Sequence, residues 1–105
     1  MTYGFVMDVP APIEIYDAVH AEIARRDTGE NYGMLLHVGR ATPDGFQVIE
    51  IWESKEQRER FDAEVMGPAL AQLSGGLPAP PPPRIEEFEP HGLIVGSART
   101  SPSDR

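Results

Sequence analysis

Apolar side chains follow a period of two from Phe46 to Trp52, with Glu50 the one polar member of the series, and then recur at three- and four-residue steps from Phe61 onward, which predicts a strand running straight into a helix. On that strand Phe46, Val48, Glu50 and Trp52 share one face and Gln47, Ile49, Ile51 and Glu53 the other, so both faces carry large apolar groups. Ser54, with Gln57 three residues on, forms a capping box that can satisfy orphan N–H groups of the first turn and so marks the helix start. The helix places Phe61, Val65, Met66, Ala69, Leu70 and Leu73 on one stripe, while Lys55, Glu56, Arg58, Glu59, Arg60, Asp62 and Glu64 read as a solvated face of mixed sign. Pro68 after Gly67 is expected to kink or divide it, because proline removes the bond to the Glu64 carbonyl and clashes there.

Similar patterns organise the remainder. Tyr3 to Val9 alternates as a first strand that Pro10 ends, and Pro12 opens a helix whose stripe is Ile13, Tyr16, Val19, His20 and Ile23, closed by Gly29. Tyr32 to Arg40 predicts a second strand, and Thr42-Pro43-Asp44-Gly45 a turn that makes a hairpin with the central strand and sets His37 across from Glu50. Beyond Ser74 a proline-rich run to Pro83 reads as a stiff spacer, Arg84 to Val95 as a last strand with Pro90 at an edge or bulge. Residues 1–95 then form one domain and 96–105 a small, polar tail. The order strand, helix, strand, strand, helix, strand predicts an α+β, ferredoxin-like domain with both helices on one face of an antiparallel sheet. Strands that are apolar on both sides call for a cover on the other face, and a second copy of the chain is the expected one.

A net charge of −8 without any Lys/Arg cluster excludes the cationic surface that nucleic acid or an anionic membrane requires. The absence of cysteine excludes disulfides, thiolate catalysis and iron–sulfur or zinc–thiolate centres. No apolar run reaches the length of a membrane span, and the start of the chain is acidic where a signal peptide is basic, so a cytoplasmic location is expected.

Glu50, Trp52, the Ser54 cap and the amphipathic helix through Phe61 and Val65 resemble the third strand and second helix of the antibiotic biosynthesis monooxygenase-like proteins, within the dimeric α+β barrel superfamily. The resemblance in fold spans about residues 3 to 95. It implies a homodimer whose sheets face each other and a pocket between sheet and helices, which in several relatives oxidises an electron-rich ring with O₂ and no added cofactor. The chain departs from that pattern at two places. Phe61 stands near where many members carry a helix histidine, and the single asparagine, Asn31, precedes the second strand instead of lying on the first, as the haem-degrading branch requires. No cofactor, haem included, is expected.

His37 is the candidate general base, since an imidazole exchanges protons near neutrality and a carboxylate beside it fixes its tautomer. Glu50, flanked by Ile49 and Ile51, must be paired if it is buried, so it is either the orienter of His37 or one half of a structural pair with His37 or Arg40. Trp52, Tyr16 and Phe61 are candidates for enclosing an apolar or aromatic ligand; equally, they can be core. His20 and His91 lack partners at metal-ligand spacing, and no metal site is expected. Two functions follow: an oxygenase or isomerase acting on an aromatic or polyketide-like compound, or a non-catalytic ligand-binding or structural dimer.

Overall fold

The computed structural model describes residues 2–26, 29–75 and 82–96. Four strands, β1 (Tyr3–Val9), β2 (Met34–Thr42), β3 (Gly45–Trp52) and β4 (Arg84–Phe88), form one antiparallel sheet in the order β2-β3-β1-β4. Helix α1 (Ile13–Arg25) and a second helical run of α2 (Lys55–Phe61), a π-turn (Asp62–Met66) and α3 (Gly67–Ser74) complete the ferredoxin-like α+β arrangement. Part of the spacer, residues 76–81, and the tail from 97 lie outside the described residues.

The hairpin of β2 and β3 keeps the pairing set by its turn, Thr42 opposite Gly45, as far as Leu36 opposite Ile51, and slips by one residue at Met34 opposite Trp52. β2 runs Met34–Thr42, two residues later at each end than the alternation implies, because the pairing continues to Thr42 at the turn, and the bulge leaves Leu35 without a ladder partner. At the turn, Gly45 passes so close to the first strand that a Cβ there would lie 2.0 Å from the Val9 carbonyl oxygen. Gly45→Ala is therefore expected to cost about 2 kcal/mol or more, read as a lowered urea midpoint at unchanged m value; a midpoint within error of wild type would show that the hairpin yields.

Ser54 caps the second helix as expected, its hydroxyl oxygen accepting the Gln57 N–H at 3.2 Å. The proline is accommodated one turn ahead of itself: the Gly67 N–H reaches back to the Asp62 carbonyl, and the wide turn draws the chain away from the clash between the Pro68 ring and the preceding carbonyls. The helix is thus divided without leaving the helical path. Its extra residue also rotates the following stripe, so that Ala69 stays buried while Leu70 and Leu73, expected inside, are exposed. The last strand is shorter than the apolar pattern suggests. Phe88 pairs with Gly4, near the start of β1, so the ladder has no partner left at Pro90, and Leu93, Ile94 and Val95 lie exposed outside any strand.

Phe5, Trp52 and Phe61 form the centre of the core, with Tyr3, Met7, Ile23, Tyr32, Val65 and Met66 packed around them, all on the side of the sheet that bears the helices. On the other face Val38, Ile49 and Val6 lie in one cross-strand row, and Phe88 lies over Gly4 beside Ile51. Val38 and Phe88 are exposed there.

Candidate functional site

Because side chains alternate along a strand, Glu50 and Trp52 point to the same face of β3, and the hairpin register brings His37 of β2 directly opposite Glu50. His37 Nδ1 lies 2.7 Å from Glu50 Oε2, and the Trp52 Nε1–H donates to Glu50 Oε1 at 2.9 Å, so each carboxylate oxygen has a donor. Helix α1 adds a third member. The Tyr16 hydroxyl sits 2.7 Å from His37 Nε2, its ring nearly parallel to the imidazole and edge-on to Phe46. This approach depends on Gly39, the next residue of β2 on that face: a Cβ at Gly39 would stand 2.4 Å from Tyr16 Cε2 and Cζ.

The chemistry of the groups assigns the protons. An ionised carboxylate only accepts, so Nδ1 of His37 donates to Glu50; in a neutral imidazole Nε2 is then an acceptor, and the Tyr16 O–H donates to it. Glu50 is 6% exposed, and its burial is compensated by the two donors. Burial pushes the Tyr16 phenol above its ordinary range, and the negative charges of Glu50 and Asp17 add to the effect, so the hydroxyl holds its proton at neutral pH. His20, one turn further along α1, has its ring 5.8 Å from that of Tyr16 and 6.3 Å from that of His37.

The structure therefore brings four of the five sequence candidates, Tyr16, His37, Glu50 and Trp52, into one hydrogen-bonded chain. Phe61 is not part of it; it packs against the Trp52 ring at a centroid distance of 5.3 Å and makes core. Trp52 itself is 0% exposed. Two open clefts of about 490 and 380 Å³ lie elsewhere, one beside Tyr3, Lys55 and Glu87, the other beside Pro12 and the Pro43-Asp44 turn, and neither is lined by any of the five.

Arg58 departs from the reading of its helix face as solvated. Its side chain turns inward, the guanidinium 4.2 Å from the Phe5 ring centroid, with Nη1 donating to the Tyr3 hydroxyl and Nε 2.8 Å from an Asp62 carboxylate oxygen. Burial pushes the Asp62 carboxyl up, Arg58 opposes this, and the charges of Glu50 and Glu59 add to it. An i,i+4 pair on a polar stripe carries no signal of this inward turn. The Tyr16–His37 contact was equally hidden, though Gly39 marked a place where something approaches the strand closely.

No family model and no curated protein matches the chain. Solved structures do. A Chloroflexus aurantiacus protein assigned as an antibiotic biosynthesis monooxygenase is 22% identical over 91% of this chain and 100% of its own, with a TM-score of 0.60. The Mycobacterium tuberculosis protein Rv0793 is 14% identical over 90% of this chain and 98% of its own, at 0.58. A haem degrader from the same organism, with two haems bound in its active site, is 24% identical over 90% and 99%, at 0.50. The chain thus has the fold of the antibiotic biosynthesis monooxygenase-like proteins. Its residues do not fit haem: the second helical run has no imidazole, and where it faces the sheet Phe61 packs against Phe5 and Trp52.

Proposed function

We propose that the protein is a cytoplasmic homodimer that abstracts a proton from a phenolic or enolisable aromatic compound, of the polyketide type, as a cofactor-independent oxygenase or an isomerase. The observation that carries this is the chain from Trp52 through Glu50 and His37 to Tyr16, a base oriented by a buried carboxylate that is itself held by an indole. Both reactions begin with the same step. In oxygenation the carbanion or phenolate reacts with O₂, a ring methylene and O₂ giving a ring carbonyl and water; in isomerisation the proton returns to another carbon. The fold supports the class of reaction, and the apolar outer face of the sheet supports the dimer.

With 1,8-dihydroxyanthrone as probe, the wild-type protein is expected to speed O₂ uptake over buffer, and His37→Gln, which retains a donor toward Glu50, to lower the enzymatic rate about 100-fold. A rate unaffected by His37→Gln would assign the pair to the hairpin's structure. One observation favours a second reading, a dimer that holds an apolar molecule without turning it over: Trp52 is fully buried and its ring is packed by Phe61. That dimer would bind the same probe, seen through Trp52 fluorescence, and leave its protons in place.

A further inference from the structure

We infer that Tyr16 is the catalytic residue that meets the substrate, and that His37 acts behind it as an internal proton acceptor. The inference rests on the proton-abstraction reading above and assigns its contact atom. His37 has two ring nitrogens. The ring is exposed, but Nδ1 is engaged by Glu50 and Nε2 by Tyr16, each at 2.7 Å, so both nitrogens are occupied and a proton passes to Nε2 along the line of the phenol. Tyr16 is half-buried and is held by Phe46 at its edge and by the bare backbone of Gly39. Gly39 and His37 together fix the placement of this oxygen and its line to the imidazole.

The step balances without an oxidant. As the substrate's C–H or O–H bond breaks, its proton forms a new O–H bond at Tyr16 while the original phenol proton moves to His37 Nε2. The products are a substrate anion and an imidazolium whose Nδ1–H faces the Glu50 carboxylate. Tyr16 ends the step as it began, a neutral phenol, and the buried negative charge of Glu50 gains its counter-charge.

Anaerobic exchange of the C10 protons of 1,8-dihydroxyanthrone for deuterium, followed by NMR, isolates this step from O₂ chemistry. Tyr16→Phe is expected to slow the enzymatic exchange about 100-fold, as His37→Gln does, and the double variant to lose no more than either, as for residues that act as one unit. Gly39→Ala changes neither acid nor base, yet it must displace the Tyr16 ring, and is expected to lose at least about 10-fold. Its melting curve, with that of Tyr16→Phe, shows whether the fold persists. The charged and titratable groups around the phenol are His37 on β2, Glu50 on β3, and Asp17 and His20 on α1. Against that fixed background, 3-fluorotyrosine at position 16 acidifies the phenol and is expected to move the alkaline limb of the exchange profile to lower pH. An unmoved limb, or Tyr16→Phe exchanging within about threefold of wild type while His37→Gln is inactive, overturns the inference and leaves the functional reading intact. A wild-type protein that exchanges no faster than buffer overturns both.

Discussion

Trp52→Ala is expected to lower the unfolding free energy by about 3–5 kcal/mol. The residue is fully buried at the end of β3 on the sheet's helix side, where Phe5 and Phe61 close on it, so truncation leaves a cavity that the four-stranded sheet and the helical layer over it have little freedom to fill. A second loss adds to the cavity. The indole N–H is the donor to Glu50 Oε1, and without it one oxygen of a 6% exposed carboxylate has no partner in the described structure. Trp52→Phe separates the two terms, since it keeps most of the volume and removes the donor; about 1–3 kcal/mol is expected for it. Urea unfolding measures both. Against a total of about 5–15 kcal/mol for a domain of ordinary stability, the alanine variant sits near the edge of folding. A loss under about 1 kcal/mol for alanine would mean that Trp52 is not the keystone of this core.

The same residue shows what the sequence made legible. The period of two through Phe46, Val48, Glu50 and Trp52 is a backbone property, and it put Glu50 and Trp52 on one face before any contact was known. The Thr42-Pro43-Asp44-Gly45 turn did the same for His37, because a hairpin turn propagates its register residue by residue until something interrupts it. The interruption, the bulge at Leu35, falls just beyond the pair and left no local mark. What periodicity could not supply was how α1 sits across the sheet. Tyr16 belongs to an apolar stripe, and a stripe says only that a residue faces inward; that its hydroxyl finds His37 depends on helix placement and on the vacancy at Gly39. Arg58 was missed for the converse reason, since a long side chain on a polar stripe can fold back over an aromatic ring. Apolarity in Leu93 to Val95 mimics a strand pattern, but the end of the last strand is set by its neighbour, β1, which runs out of residues to pair.

Ile49→Lys is expected to convert the proposed homodimer into a monomer of 11.6 kDa without loss of secondary structure. Ile49 sits mid-sheet on the face away from the helices, paired with Val6 on one side and Val38 on the other. In a lone chain a lysine there reaches water and costs little, since its stem can lie along its apolar neighbours while the ammonium stays hydrated. Between two sheets packed face to face the same ammonium loses its water without gaining a carboxylate, because the nearest acids on that face, Asp8 and Glu86, lie toward its borders and Asp8 already accepts from Gln47. Several kcal/mol of uncompensated burial is enough to shift a micromolar dimer to monomers at any accessible concentration. Ala21→Lys, exposed on α1, adds the same charge away from the sheet and is expected to remain dimeric. Light scattering decides between the outcomes: a wild-type mass of a single chain removes the dimer, and an Ile49→Lys protein that still weighs as two chains moves the interface to some other surface, the exposed Leu70 and Leu73 of α3 being the next apolar pair.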